Sequence, residues 1–98
     1  MSLFVIDLTY TADLADVDRH LEAHRSFLKD QYAAGHFLAS GPKNPRIGGV
    51  ILAKGSSRTE IEQLVELDPF KAEALASYAI TEFSPVMSVP GFPGDPAE

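Results

Sequence analysis

The sequence contains no cysteine, which excludes disulfide bonds, thiolate catalysis and zinc sites with cysteine ligands. It is also poor in basic residues: 8 lysines and arginines stand against 14 aspartates and glutamates, and the formal net charge is −6. A phosphate-binding surface needs a basic face, so we expect no nucleic-acid partner. No apolar run approaches the roughly 20 residues of a membrane helix, and the first residues lack the basic start of a signal peptide. We therefore expect a cytoplasmic protein with no membrane partner.

The length of 98 residues and the apolar content of 45% predict one compact domain. Proline and glycine become frequent near the end of the chain, where residues 85–98 contain four prolines and two glycines. Such a composition is typical of a segment without regular structure. We therefore expect a folded domain over residues 1–84 and a Pro/Gly-rich C-terminal tail over residues 85–98.

Apolar residues recur with the period of strands in some segments and with the period of helices in others. A capping box at residues 57–60 and an Asp-Pro pair at residues 68–69 mark two further helix starts. In chain order, the predicted elements are a strand over 3–10, a helix over 14–34, strands over 36–40 and 47–54, a helix from 57, a short helix up to about 76 and a strand over 78–83.

This order, β-α-β-β-α-β, predicts an α+β fold with a ferredoxin-like antiparallel sheet and the main helices on one face, as in dimeric α/β barrels. Gly48 and Gly49 in the third strand leave room for something close to the backbone. The strands carry apolar residues on both faces, so one face of the sheet would be bare in a monomer. We therefore expect a homodimer that packs sheet on sheet through that face.

His24 is the most informative residue, because it lies between Leu21 and Leu28 on the apolar face of the predicted first helix. Such a histidine is either a buried polar group bonded to a carbonyl or a general acid–base, since imidazole titrates near neutral pH. Asp68, which precedes Pro69, is an N-cap candidate and also the kind of carboxylate that orients a catalytic imidazole. A carboxylate has two oxygens, so these two roles are compatible. We expect His24 and Asp68 to form a catalytic pair.

The turn after the second strand is expected to line a pocket beside this pair. Ser40 would complete a Ser-His-Asp triad, but it lacks the strand-turn-helix elbow of such nucleophiles, so a hydroxyl on the pocket wall is the favoured interpretation. The cations that could line the pocket mouth are Arg19, Arg25, Lys43 and Arg46, and an anionic ligand such as a small carboxylate would suit them. The apolar lining is expected from Phe4, Phe37 and Phe70. The candidate substrate-binding residues are Ser40, Gly41, Pro42, Phe70 and Arg46.

The other two histidines give no strong signal of chemistry. His20 and His24 have the four-residue spacing of helical metal ligands, but the Glu-x-x-His pattern is absent, and we expect no metal site. His20 is expected to be exposed, and His36 to lie near the C-terminal end of the first helix.

A set of residues in this order resembles the YciI-like (YCII-related) family: His24, Leu28, Gly35, Ser40-Gly41-Pro42, Asp68-Pro69-Phe70 and a closing strand at 78–83. The resemblance covers about residues 3–85. It implies a ferredoxin-like fold that dimerises through its sheets, and a pocket with a paired histidine and aspartate, matched here by His24 and Asp68. It also implies small enzymes without cofactors, whose fold is similar to that of muconolactone isomerase and of small dimeric monooxygenases.

Two positions depart from the family pattern. Many members have an arginine three residues before the histidine, where this chain has Leu21, and neither Arg19 nor Arg25 occupies that helical position. Many members also have a glycine shortly after the Asp-Pro pair, where this chain has Ala74. The first departure concerns the charge of a shared substrate, and the second concerns a tight backbone approach.

Two functions remain open at this point. In the first, the protein is a cofactor-independent lyase, isomerase or hydrolase in which His24 moves a proton of a small organic acid and Asp68 orients the imidazole. In the second, the same dimer binds a small ligand or supports a larger pathway without catalysis. An open cavity that reaches the imidazole is what an enzyme requires.

Overall fold

A computed structural model describes residues 2–93 of the chain. The elements are β1 (Ser2–Tyr10), α1 (Leu14–Arg19), α2 (Leu21–Ala33), β2 (Phe37–Pro42), β3 (Gly48–Gly55), α3 (Arg58–Val65), α4 (Pro69–Ala72) and β4 (Ala76–Phe83). Residues 84–93 form neither helix nor strand, and the remainder of the predicted tail, residues 94–98, lies outside the described residues. Every helix of the described part falls short of the length and apolarity that a bilayer crossing requires.

The four strands form one antiparallel sheet in the order β2-β3-β1-β4. This is the strand order of a ferredoxin-like sheet, and the helices pack on one face of it, so the predicted α+β fold is confirmed. β1 and β3 are the two interior strands. Their register places Phe4 opposite Ala53 and Ile6 opposite Ile51, and all four side chains are buried.

The hydrophobic core lies between the sheet and the helices. Alternate side chains of a strand point to the same face, and in β1 the residues Phe4, Ile6 and Leu8 point into the core. The four helices contribute the core residues Val17, Phe27, Ile61, Val65 and Phe70.

The opposite face of the sheet carries the residues that alternate with this core set. Val5 of β1 pairs with Leu52 of β3 and with Thr81 of β4, and Leu3 pairs with Phe83. Phe83 is 43% exposed, although it is a large aromatic residue in a strand. This face is therefore less well covered than the helix-bearing face.

The predicted helix over residues 14–34 is in fact two helices, α1 and α2, with a break at His20. His20 has φ −110° and ψ 4°, which is outside the helical region. The ring Nδ1 of His20 lies 3.1 Å from the carbonyl oxygen of Asp16, and its backbone N–H donates to Val17. In a continuous helix, the backbone N–H of His20 would donate to the carbonyl of Asp16. The ring of His20 occupies this carbonyl instead, and α1 ends here. His20 is half-buried and not exposed as expected.

Ala74 follows α4 in an unusual backbone conformation. Its φ is 55°, in the left-handed region that favours glycine. The backbone here turns directly into β4, and Leu75 donates its N–H to the carbonyl of Phe70 over 2.8 Å. Alanine adopts this positive φ at some cost, which a glycine would not have.

Gly48 lies where β1 and β3 approach most closely. A Cβ atom at this position would stand 1.8 Å from the carbonyl oxygen of Leu8, and no real Cβ contact is so short. The space at Gly48 is therefore filled by the backbone of β1, which only glycine permits, whereas a Cβ at Gly49 would stand 3.1 Å from the carbonyl oxygen of Gly41 in β2.

We expect Gly48→Ala to cost more than about 3 kcal/mol of unfolding free energy, or to prevent folding, because two backbones would have to separate. Gly41→Ala is the matched control, since a Cβ at Gly41 meets nothing within 4 Å. Urea unfolding of both variants measures the difference. Equal stability of the two variants would contradict the register between β1 and β3.

Candidate active site

The structure brings His24 and Asp68 into contact, although 44 residues separate them in sequence. His24 lies on the first turn of α2, and Asp68 is the N-cap of α4. The His24 Nδ1 atom and the Asp68 Oδ1 atom are 2.8 Å apart, which is a good hydrogen-bond distance. The same oxygen accepts the backbone N–H of Phe70 at 3.0 Å, so Asp68 has both the capping contact and the histidine contact.

Asp68 is completely buried, and its second oxygen is occupied by a residue that the sequence analysis missed. The hydroxyl of Tyr78 donates to Asp68 Oδ2 at 2.5 Å. Three donors therefore converge on one carboxylate: an imidazole N–H, a backbone N–H and a phenol O–H. Burial, followed by the hydrogen bond to Asp68, raises the pKa of Tyr78 well above its usual range, which keeps the phenol protonated as a donor.

The hydrogen bond to Asp68 determines which ring nitrogen of His24 is available for chemistry. A carboxylate that already accepts two other donors requires the proton of a neutral imidazole to lie on Nδ1. Within residues 2–93, Nε2 of His24 has no hydrogen-bond partner, and no buried side-chain nitrogen or oxygen is left without one. The Nε2 atom is therefore reached by solvent, and its lone pair can accept a proton.

The imidazole ring is held flat against Phe70. The ring centroids of His24 and Phe70 are 4.0 Å apart, with an angle of 6° between the planes. Tyr10 in turn meets Phe70 edge to face at 6.0 Å, and Phe27 lies 6.4 Å from the imidazole. His24 is only 9% exposed, so packing and the bond to Asp68 together fix its orientation.

A cavity of about 290 Å³ opens beside His24. All five candidate substrate-binding residues, Ser40, Gly41, Pro42, Phe70 and Arg46, lie on its wall. Arg25, one of the expected cations, also lies on the wall, and the residues that the sequence analysis did not assign to it are Leu8, Tyr10, Leu21, Leu28, Gly48, Gly49, Val50 and Ile51. The wall is therefore largely apolar, with a few polar groups.

Two expectations about this wall are wrong, the one for Phe4 and Phe37 and the one for Lys43. Phe4 and Phe37 belong to the hydrophobic core and are not among the lining residues. Lys43 is not among them either, because its ammonium group lies 2.6 Å from the carboxylate of Asp7. Ser40 donates to or accepts from the Tyr32 hydroxyl at 2.6 Å, and no hydrogen bond joins it to His24 in the described part of the chain.

The two arginines of the cavity differ in their surroundings. The Arg46 guanidinium lies 2.6 Å from the carboxylate of Asp18, a contact that raises the pKa of Arg46, and it lies over the Tyr10 ring at 5.9 Å. Arg25, one residue after His24 on α2, forms no ion pair among residues 2–93. An anionic group of a ligand would thus meet one neutralised cation and one whose charge is not balanced by a neighbour.

The remaining histidines lie outside this arrangement. His36 is bonded through Nδ1 to the side chain of Gln31 at 2.8 Å, at the end of α2 where it was expected. Over residues 2–93, no three His, Asp or Glu side chains are grouped so as to hold a metal ion.

Tyr78 could have been suspected from one signal in the sequence. A buried aspartate needs donors for both oxygens, and a tyrosine in the closing strand is a suitable residue type. The register that places Tyr78 opposite Leu8 is a long-range pairing between β1 and β4, however, and no local pattern specifies it.

The ferredoxin-like sheet and the buried His-Asp pair beside an open cavity define a small α+β domain with a preformed candidate site. The chain belongs to the YCII-related domain family, whose sequence pattern matches residues 2–84. The resemblance carried by the ordered residues from His24 to Phe70 is thereby confirmed. No curated protein sequence matches the chain.

Two solved structures share the fold. TftG from Burkholderia phenoliruptrix AC1100, a 5-chloro-2-hydroxyhydroquinone dehydrochlorinase in complex with 2,5-dihydroxybenzoquinone, has a TM-score of 0.69 and 21% identity over 81% of this chain and 90% of that chain. SnoaB from Streptomyces nogalater, a cofactor-independent oxygenase solved as a variant, has a TM-score of 0.51 and 14% identity over 91% of this chain and 96% of that chain. At these identities the likeness concerns the fold alone.

We expect Tyr78 to resist ionisation in the folded protein, because burial and Asp68 raise its pKa. The raised pKa belongs to the folded state, so the stability that Tyr78 contributes is complete below about pH 10, the usual tyrosine value, and is lost as the pH rises further. In a spectrophotometric titration, part of the tyrosinate absorbance should appear only on unfolding, and Tyr78→Phe should remove that part. If Tyr78→Phe instead removed a tyrosine that titrates near pH 10 in the folded protein, the hydrogen bond between Tyr78 and Asp68 would be contradicted.

Proposed function

We propose that this protein is a cofactor-independent enzyme in which His24 acts as a general base, and then as a general acid, on a small organic acid. The observation that carries this proposal is the orientation of His24: Nδ1 is bonded to buried Asp68, while Nε2 is reached by solvent beside the cavity. A base held in one tautomer by a carboxylate is the arrangement that proton transfer requires.

In the proposed step, Nε2 of His24 takes a proton from an acidic O–H or C–H group of the substrate, and the ring becomes an imidazolium. The negative charge of Asp68, 2.8 Å from Nδ1, offsets the new positive charge. The imidazolium then returns the proton to another atom of the same substrate or to its leaving group. A lyase or isomerase reaction would use this sequence of transfers, and a hydrolytic reaction would use it with the first proton taken from an attacking water molecule.

The cavity supports a small and largely apolar substrate. Its volume of about 290 Å³ has room for a single ring, and its wall includes Phe70 and several aliphatic side chains. Ser40, the backbone of Gly41 and Pro42, and Arg46 would orient the polar groups of the ligand. The dihydroxybenzoquinone bound by TftG is a ligand of this size and acidity, and by analogy of fold we propose an aromatic or quinone-like acid for this chain.

We expect His24→Gln to lower turnover by about 100-fold or more, because the general base is lost while an amide N–H can still donate to Asp68. The first assay would follow chloride release from 5-chloro-2-hydroxyhydroquinone, the substrate that the name of TftG gives. A panel of small phenols, quinols and lactones would follow.

The matched control is His20→Gln, which removes a histidine four residues earlier whose ring donates only to the Asp16 carbonyl. Full activity of a folded His24→Gln variant would refute the catalytic role. If wild type and His24→Gln bind 2,5-dihydroxybenzoquinone equally and neither turns over any compound of the panel, the alternative function as a non-catalytic ligand-binding or accessory module is supported instead.

We also propose that two copies pair through the sheet face opposite the helices. Val5, Leu52 and the 43% exposed Phe83 lie on that face and would be covered by the same residues of a second copy. The location of the protein in the cytoplasm stays a prediction from the sequence.

We expect the wild type to sediment as a dimer and Leu52→Glu to sediment as a monomer, because the substitution places a charge at the centre of the proposed interface. Leu67→Glu is the control, since Leu67 is 63% exposed and lies between α3 and α4, away from the sheet. Sedimentation velocity over a range of concentrations measures both. A wild type that is monomeric throughout would exclude this interface.

A further inference from the structure

Tyr78 and His24 contact the same buried carboxylate from two different elements of the fold. Tyr78 lies on β4, His24 lies on α2, and Asp68 lies in the segment that joins α3 to α4. Oδ1 of Asp68 accepts from His24 and from the backbone of Phe70, whereas Oδ2 accepts from Tyr78 at 2.5 Å. One carboxylate thus links the candidate base to a residue of the closing strand.

Tyr78 is the donor on which Oδ2 depends. Asp68 is 0% exposed, so bulk water does not reach Oδ2 in the folded protein. In the described part of the chain, Tyr78 is the only group that donates to Oδ2. A buried carboxylate oxygen without a donor is costly, and the carboxylate would respond by drawing more strongly on its other partners.

Tyr78 is not placed to touch a ligand. It is absent from the wall of the cavity beside His24 and lines a separate groove with Lys71, whose ammonium group lies 5.5 Å from the centre of the Tyr78 ring. The sheet holds it there, because Tyr78 pairs with Leu8 of β1. Any effect of Tyr78 on chemistry in the cavity therefore has to pass through Asp68.

We propose that Tyr78 is a positioning residue for His24: its hydroxyl holds Oδ2 of Asp68 and so limits how strongly Oδ1 accepts from Nδ1, while Nε2 faces the cavity. The inference deepens the proposed function and rests on it for the chemical role of Nε2. The hydroxyl also draws negative charge toward Oδ2, which moderates how strongly Oδ1 accepts from the imidazole. Tyr78 thus tunes the base without contacting the substrate.

The test is a series of donors of different strength at position 78, read at His24 by nitrogen NMR of the neutral imidazole without any substrate. Tyr78→Phe keeps the ring and removes the donor, so the Asp68 carboxylate should accept more strongly from His24 and move the Nδ1 resonance downfield. Ring-fluorinated tyrosine is a stronger donor and should move the resonance upfield. The chain has only three histidines, so His20→Gln and His36→Gln assign the signals.

Tyr10→Phe is the matched control, because Tyr10 packs on the same Phe70 ring and lines the cavity but has no hydrogen bond to Asp68 in the described residues. The Nδ1 resonance of His24 in Tyr10→Phe should match that of the wild type. Fluorotyrosine is introduced into the Tyr10→Phe variant. If Tyr78→Phe does not fold, the fluorinated protein still tests the proposal, since it retains the hydroxyl.

An Nδ1 resonance that stays unchanged across the series, or that moves equally in Tyr10→Phe, would overturn the proposal. Because the NMR measurement needs no substrate, the inference and the proposed enzyme activity can fail separately. On any compound that the wild type turns over, Tyr78→Phe should lower kcat and leave KM unchanged, since Tyr78 does not line the cavity. A change in KM alone would also count against a positioning role.

Discussion

The buried carboxylate of Asp68 is the constraint on which the rest of the site depends. A charge with no access to water must be satisfied by donors inside the protein, and Asp68 obtains three of them from α2, α4 and β4. The same contacts fix the start of α4, the rotamer of His24 and the hydroxyl of Tyr78. One polar group thus connects the helix layer to the closing strand, while the surrounding core is apolar.

This arrangement separates the two sides of the imidazole. Nδ1 faces buried Asp68, and the ring is stacked on Phe70, so the orientation of His24 is set before any ligand arrives. Nε2 is left to the cavity, whose wall is mostly aliphatic. Such preorganisation suits proton transfer without a cofactor. The wall of the cavity, which includes Leu21, would determine the chemical identity of a ligand.

Local signals in the sequence were sufficient for much of the fold. The Ser57 hydroxyl caps α3 as the capping box predicts, although Glu60 turns to Ser56 and not back to Ser57. Pro69 begins α4 and Asp68 caps it. The break between α1 and α2 escaped prediction because it depends on the ring of His20 competing for the Asp16 carbonyl, while the apolar period continues across it.

The sequence by itself determined the order of the elements and the family. It also identified His24, Asp68 and the Ser40-Gly41-Pro42 turn as candidate site residues. Periodicity, capping signals and motif order were sufficient for this because they lie in short segments of the chain. Only the tertiary structure decided that His24 and Asp68 meet at 2.8 Å, that Tyr78 completes the carboxylate, and that Ser40 bonds to Tyr32. Those contacts join residues brought together by strand register and helix packing. A distance between distant residues depends on all the elements at once, and no short segment encodes it.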